Sequence, residues 1–111
     1  MKEREIEKTL VAEVRQCGGR AYKWVSPGNN GVPDRIVIFK DRPAIFVEIK
    51  TDSGTLSNLQ KLQIPRLQEL GQKVYIVKGL NGAAGFFEEE GFPEAAARIR
   101  RKAERHGEVI G

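Results

Sequence analysis

The sequence has 111 residues, of which 40% are hydrophobic and 31% are charged, and its net charge is +4. This balance predicts one globular domain over residues 1–111 and excludes a disordered chain. The apolar runs are too short to span a bilayer and residues 1–5 lack the apolar segment of a signal peptide, so we expect no membrane partner. The single cysteine, Cys17, cannot form an internal disulfide, which favours a reducing, cytoplasmic setting. The positive charge is compatible with a nucleic-acid partner but does not by itself indicate one.

Hydrophobic periodicity and turn-forming residues divide the chain into helices and strands. The predicted elements are, in chain order, a helix over 3–17, strands over 21–25, 35–39 and 44–50, a helix over 57–70, a strand over 73–78 and a helix over 93–105. The turn over 40–43 joins two of the strands in a hairpin, and a crossover through the second helix leads into the last strand. We therefore predict an α/β fold in which helices pack on a mixed sheet.

The second helix and the segment that follows its strand are harder to interpret. The leucines of the second helix repeat at helical spacing and are expected to face the core: Leu59, Leu62, Leu67 and Leu70. Pro65 lies inside this helix and should kink it or split it. The glycine-rich segment over 79–91 indicates neither a helix nor a strand.

A charged pair projects from one face of the strand over 44–50. Side chains alternate along a strand, so Glu48 and Lys50 share one face while Val47 and Ile49 share the other. A buried strand normally avoids such a pair, because burying an unpaired charge costs on the order of several kcal/mol. Two interpretations stay open at this point: an ordinary surface salt bridge, and a pair that takes part in catalysis.

Asp34 follows Gly31-Val32-Pro33 at the start of the preceding strand. If the strands over 35–39 and 44–50 form the hairpin, Asp34 can lie beside Glu48. Two carboxylates at close range repel each other unless a cation neutralises them, and oxygen ligands suit Mg²⁺. Asp34 is equally an ordinary turn residue after proline, so its position alone is weak evidence.

The ordered set of motifs is more specific than any one of them. Its members lie within residues 3–78: Glu3 and Glu7, Gly31-Val32-Pro33-Asp34, Phe46-Val47-Glu48-Ile49-Lys50, Leu56-Ser57-x-x-Gln60, and Gly71 followed by Val74-Tyr75-Ile76-Val77. In this order they resemble the virus-type replication–repair nuclease (VRR-NUC) domain of the PD-(D/E)XK nuclease superfamily. The resemblance implies a restriction-endonuclease-like fold, a mixed sheet flanked by helices with an α-β-β-β-α-β core.

The resemblance also implies a role for each site residue. Asp34 and Glu48 would bind Mg²⁺ or Mn²⁺ together with the backbone carbonyl of Ile49. Lys50 would position the attacking water and stabilise charge at phosphorus, a glutamate of the first helix would supply a further carboxylate, and Gln60 would line the site. These roles agree with physical chemistry, because a bound metal ion lowers the pKa of water and stabilises negative charge during phosphodiester hydrolysis.

Two of these assignments have competing explanations. Glu7 lies within the apolar arc of the first helix and past its first turn, whereas interaction with the helix N-terminus is enough to account for Glu3. Glu7 is therefore the predicted catalytic residue. Ser57-x-x-Gln60 also fits a capping box, in which Gln60 bonds back to Ser57, so the cap and the site interpretations both stay open.

The activity implied by the resemblance is metal-dependent hydrolysis of DNA phosphodiesters by a structure-specific endonuclease. Members of this family that have such a minimal size tend to be homodimers that act on branched DNA such as Holliday junctions. The resemblance implies the same assembly and substrate here. Two alternatives stay open: a flap or single-strand nuclease with the same site, and a non-catalytic nucleic-acid-binding module. Lys23 and Arg35 are candidates to steer phosphate. The basic face of the last helix is interpreted as solvated and consists of Arg98, Arg100, Arg101, Lys102 and Arg105.

Overall fold

The computed structural model describes residues 1–107 as four helices and four strands. The helices are α1 (Glu3–Gln16), α2 (Asn58–Glu69), α3 (Gly79–Glu89) and α4 (Pro93–Arg105). The strands are β1 (Arg20–Lys23), β2 (Arg35–Ile38), β3 (Ile45–Lys50) and β4 (Lys73–Lys78). The α/β class and the α-β-β-β-α-β order are confirmed, with small shifts at the ends of the elements. No helix within residues 1–107 is long and apolar enough to cross a membrane.

The strands form one mixed sheet in the order β1-β2-β3-β4. The pairs β1–β2 and β2–β3 are antiparallel, whereas β4 returns parallel to β3 after the crossover through α2. Arg35 opens β2 opposite Val47, and Lys50 at the end of β3 pairs with Lys78 at the end of β4. The start of β2 and the last residues of β3 and β4 consequently lie at one end of the sheet, which we call the site end.

One face of the sheet packs against a layer formed by α1, α3 and α4. The buried core residues of the sheet and of α1 are Val37, Phe39, Ile45, Val47, Ile49 and Val77, with Ile6, Leu10 and Val14. Each buried aliphatic side chain contributes about 1.5–3 kcal/mol relative to exposure, so this layer is the main source of stability. Alternation along β3 turns Glu48 toward the opposite face, where α2 lies beside β4.

The apolar face of α2 does not meet the core as predicted. Leu59, Leu62 and Leu70 are 49%, 48% and 75% exposed, and Ile64 is the one buried residue that α2 contributes within residues 1–107. The prediction that these leucines face the core is wrong. The physical reason is that α2 contacts the sheet along β4, at the edge, so only a narrow stripe of the helix is covered.

Pro65 does not split α2, which runs without interruption from Asn58 to Glu69. A proline removes one backbone donor and crowds the preceding turn, but the hydrogen bonds on either side remain available. Pro65 also lies on the exposed side of the helix, where its ring does not compete with packed side chains. The predicted division of the helix is therefore wrong.

The glycine-rich segment that the sequence left unassigned forms α3. Its buried residues are Gly79, Leu80, Ala83, Ala84, Phe86 and Phe87. Burial of these apolar side chains outweighs the low helix propensity of glycine, which costs about 1 kcal/mol per residue. Gly79 begins the helix with a φ of +64°, and a Cβ there would lie 1.9 Å from Oδ1 of Asp52, so the chain turns tightly at the site end.

Glu90 is a buried carboxylate that links several elements at the end of the sheet opposite the site end. Its side chain accepts hydrogen bonds from Lys73 and Tyr75, each at 2.6 Å, and from Arg42 at 3.3 Å. Burial alone raises the pKa of Glu90, but the hydrogen bonds and positive charges of its partners outweigh burial and lower the pKa. Glu90 is therefore held ionised, linking the β2–β3 turn to β4 and to the end of α3.

Candidate active site

Asp34 is fixed at the site end by contacts with both neighbouring strands. Its backbone carbonyl accepts a hydrogen bond from the N–H of Trp24, at 3.0 Å, and its Oδ2 accepts one from the N–H of Ile49, at 2.8 Å. The loop before it passes close to α2, because a Cβ on Gly31 would lie only 2.6 Å from the backbone carbon of Leu59. The hairpin thus brings Asp34 to the end of β3, as its sequence position suggested.

Glu48 is a carboxylate in a buried position, only 1% exposed. Its Oε2 accepts a hydrogen bond from Nε2 of Gln60 at 2.8 Å and lies 3.6 Å from Nζ of Lys50. Its other oxygen, Oε1, is buried and has no hydrogen-bond partner within residues 1–107. Burial and the charge of Asp34 raise the pKa of Glu48 to about 7, although Lys50 acts in the opposite direction.

Gln60 forms the predicted capping box and also contacts Glu48, while its role in the site stays a prediction. Its Oε1 accepts a hydrogen bond from the N–H of Ser57 at 2.9 Å, and its backbone N–H donates to Oγ of Ser57 at 3.2 Å. These two bonds form the capping box that starts α2. The amide nitrogen on the same side chain donates to Glu48. The cap therefore orients Gln60, and Gln60 in turn fixes Glu48.

The two glutamates of α1 have different surroundings. Oε2 of Glu7 forms an ion pair with Nε of Arg35 at 2.7 Å, so its charge is balanced at the start of β2. Glu3 is exposed, and its negative charge acts on Glu48 strongly enough to contribute to the raised pKa there. The catalytic role given to Glu7 stays a prediction. Glu3 contributes to the charge environment of Glu48, and it is therefore the rival candidate.

Comparisons with known proteins bear on the fold and on the family of the chain. No family model matches the chain. A solved structure described as "VRR_NUC domain" is similar to it with a TM-score of 0.72 and 23% identity, covering 78% of this chain and 94% of that one, and this likeness establishes the fold. "Putative nuclease p44" of Acyrthosiphon pisum secondary endosymbiont phage 1 is 46% identical over 77 residues, which are 69% of this chain and 83% of that protein. The chain belongs to the VRR-NUC nuclease family.

This VRR-NUC domain carries a second lysine at the site that the sequence analysis did not single out. Lys78 pairs in register with Lys50 across the parallel strands β3 and β4, so both side chains point to the same face at the site end. Lys78 is exposed and forms no ion pair within residues 1–107, whereas Lys50 is only 14% exposed and contacts Glu48. The parallel crossover was the available clue, because parallel strands joined in this way end at the same edge of a sheet.

The donor atoms of this VRR-NUC site fit a hard divalent cation. Within residues 1–107 no group of three or more His, Cys, Asp or Glu side chains is arranged to hold a metal, so an ion here would rest on two carboxylates, a backbone carbonyl and water. Mg²⁺ is commonly bound in this way, through one or two carboxylates while it keeps several waters. The unpartnered Oε1 of Glu48 and the repulsion between Glu48 and Asp34 are the features that a cation would relieve.

Proposed function

We propose that this protein is a Mg²⁺- or Mn²⁺-dependent DNA endonuclease that acts on branched DNA. The observation that carries the proposal is Glu48, a buried carboxylate with Asp34 close enough to raise its pKa and with one oxygen that has no hydrogen-bond partner in the described part of the chain. A protein that only binds nucleic acid gains nothing from two clustered carboxylates, because they repel phosphate. A divalent cation bound between the two carboxylates would replace their repulsion of phosphate by attraction.

The metal would be held by Asp34, Glu48 and the backbone carbonyl of Ile49. When bound, such an ion lowers the pKa of water and stabilises the negative charge that develops on the phosphate. The chain contributes a rigid frame for these ligands. The N–H of Ile49 holds Asp34 at 2.8 Å, and Gln60, itself held by the start of α2, holds Glu48 at 2.8 Å.

Lys50 would act directly on the reacting groups. Its ammonium lies 3.6 Å from Oε2 of Glu48 and is largely shielded from solvent, so its charge is felt strongly within the site. In hydrolysis a water oxygen bonds to phosphorus, one ester bond breaks, the water loses a proton and the departing oxygen gains one. Lys50 would orient that water and stabilise the charge at phosphorus, while Glu3 or Glu7 would supply the helix-1 carboxylate.

A homodimer with two such sites would suit a four-way junction, in which two strands must be cut. The exposed leucines of α2 support a second copy of the chain as partner. Leu62 of α2 is 48% exposed, Leu70 directly after α2 is 75% exposed, and Ile76 of β4 is 42% exposed. Exposed apolar surface of this kind is typical of protein–protein contacts. The reducing, cytoplasmic setting expected from the single cysteine completes the proposal.

The first experiment is cleavage of a labelled panel comprising a four-way junction, a flap, a single strand and a linear duplex, with Mg²⁺, with Mn²⁺ and with EDTA. We expect metal-dependent cutting, preferentially of the junction, that is lost in Lys50→Ala and kept in Lys40→Ala, a matched exposed lysine at the far end of the sheet. Equal cutting of junction and linear duplex at matched salt would contradict the branched-DNA preference. Preferred cutting of the flap or single strand would favour that alternative. Binding without cutting would favour the non-catalytic module.

Two further measurements test the assembly and the helix-1 carboxylate. We expect the mass in solution to be that of a dimer at micromolar concentration and that of a monomer in Leu62→Lys, and a monomeric wild type would refute the dimer. Comparing Glu3→Gln with Glu7→Gln assigns the carboxylate. The catalytic residue is the one whose substitution lowers cleavage at saturating Mg²⁺ without lowering the melting temperature.

A further inference from the structure

A concave surface of about 390 Å³ runs along the exposed side of α1. Its charged residues are Arg4, Glu7, Lys8 and Arg15 of α1 with Arg35 of β2. We call this surface the α1 groove. None of the side chains that line it is aromatic. The groove therefore offers positive charge and aliphatic surface, and it has no platform on which bases could stack.

Most of the positive charge of the α1 groove is not compensated by ion pairs within the described residues. Its one carboxylate, Glu7, is already paired with Arg35 at 2.7 Å. Arg4, Lys8 and Arg15 form no ion pair within residues 1–107. Three cations thus face solvent from one side of a single helix, where they repel one another unless an anion is present.

The basic face of α4 is different, although its composition is similar. Arg98 binds Glu13 through two of its nitrogens, Arg100 pairs with Glu88, and Lys102 donates to Oγ1 of Thr9. These contacts occupy three of the five cations of that face, so its interpretation as a solvated surface stays a prediction. Arg101 and Arg105 remain exposed and provide matched control positions.

The α1 groove leads away from the candidate active site. Arg35, which lines it, directly follows Asp34 in the chain, and α1 begins near Glu48, whose charge environment includes Glu3. From Arg4 to Arg15 the helix advances about 16 Å at 1.5 Å per residue. A duplex that lies parallel to α1 presents roughly five phosphates of one strand over that length, because each phosphate corresponds to about 3.4 Å of the duplex axis.

We propose that the α1 groove binds the phosphate backbone of the duplex arm that leads into the active site. This inference rests on the proposed nuclease function and adds the surface on which the substrate lies. Contacts between these cations and phosphates would position a duplex without reading its sequence, because the backbone is the same at every base pair. The contact is therefore independent of sequence and depends strongly on salt.

The test is binding of a labelled linear duplex at a series of salt concentrations in EDTA, so that no cleavage occurs. The paired variants are Lys8→Ala/Arg15→Ala in the groove and Arg101→Ala/Arg105→Ala on α4, which remove equal charge at exposed helical positions. We expect the groove variant to lose about tenfold or more in affinity and to reduce the slope of log affinity against log salt by about 2, one for each lost phosphate contact. The α4 variant should keep the wild-type slope.

Three results would overturn the proposal: an unchanged slope in the groove variant, an equal loss in the α4 variant, or a single strand of the same length that depends on the groove as strongly as the duplex does. The outcome is separable from that of the proposed function. If cutting requires Lys50 but the groove variant has no effect, the nuclease proposal stands and the groove proposal fails. If binding depends on the groove but the protein never cuts, the groove proposal stands and the nuclease proposal fails.

Discussion

Replacing Glu48 by glutamine should stabilise the metal-free protein while abolishing its metal response. The amide keeps an oxygen that can accept the hydrogen bond from Gln60, and it removes the charge that Asp34 repels. A residue that serves catalysis at the cost of stability behaves in this way. A residue that serves only to hold the fold together would destabilise the protein when replaced.

The magnitude follows from the pKa of Glu48, which is raised from its ordinary value of 4.5 to about 7. A pKa change of one corresponds to about 1.4 kcal/mol, so the ionised side chain costs the folded state on the order of 3 kcal/mol. Below pH 4.5 both states hold the protonated acid and the cost is absent. As the pH rises from 4.5 to 7 the unfolded state releases its proton first, so stability falls, and above pH 7 the full cost applies.

The assay is urea unfolding followed by the fluorescence of Trp24, the one tryptophan in the chain, whose ring lies 5.2 Å from that of Phe46. In EDTA we expect Glu48→Gln and wild type to be equally stable near pH 4.5, and the variant to be more stable by up to about 3 kcal/mol near pH 8. Mg²⁺ at ten times its dissociation constant should add about 1.4 kcal/mol to wild type and nothing to the variant.

The control is Glu69→Gln, which removes an exposed carboxylate near the end of α2 and should change little. A variant that is less stable than wild type near pH 8 in EDTA would refute the reasoning. So would a stability difference that is the same near pH 4.5 and near pH 8, because a cost due to ionisation must disappear when the acid is protonated. Stabilisation of Glu48→Gln by Mg²⁺ would remove Glu48 from the metal site.

Substitutions at three other positions test other contacts. Gln60→Glu keeps the acceptor that caps α2 but replaces the donor to Glu48 by a negative charge. Cleavage should therefore fall about tenfold or more with little change in circular dichroism. Gln60→Ala should lose both the cap of α2 and the hydrogen bond to Glu48. Glu90→Gln should lower the free energy of unfolding by about 1–3 kcal/mol at pH 7 in urea. Because Glu90 has a lowered pKa, that difference should shrink as the pH falls below 4.5. Gly31→Ala should cost roughly 1–3 kcal/mol in thermal unfolding, because its φ is +92° and a Cβ would meet Leu59.

The parts of the fold that could be predicted are those set by local patterns. The stripe of Ile6, Leu10 and Val14 defines α1, and a proline in a first helical turn marks the start of α4 at Pro93. The hairpin required only two strands and a short turn, and it was sufficient to bring Asp34 to the end of β3. Close range between Asp34 and Glu48 was therefore available from the sequence.

The parts that could not be predicted depend on what each element packs against. The glycines of α3 have a low helix propensity, so the local sequence does not predict a helix there. The helix is stabilised by burial of side chains such as Phe86 and Phe87, which local propensity does not describe. The leucines at 59, 62 and 70 repeat as a core face would, yet α2 lies at the sheet edge and leaves them exposed. The sequence pattern of Gln60 predicts a cap or a site residue, but it does not show that the amide oxygen caps α2 while the amide nitrogen donates to Glu48.

The first helix shows most clearly why a helical wheel does not assign a catalytic carboxylate. The wheel places Glu7 at the edge of the apolar face, where a half-buried charge needs a positive partner. It cannot show that Arg35, 28 residues later, supplies that partner at 2.7 Å. With Glu7 paired, the other charges of α1 lie in two different places. Glu3 acts on Glu48 at the site end, whereas Arg4, Lys8 and Arg15 face solvent along the groove. One ion pair thus allows a single helix to present negative charge where a cation would bind and positive charge where phosphate would lie.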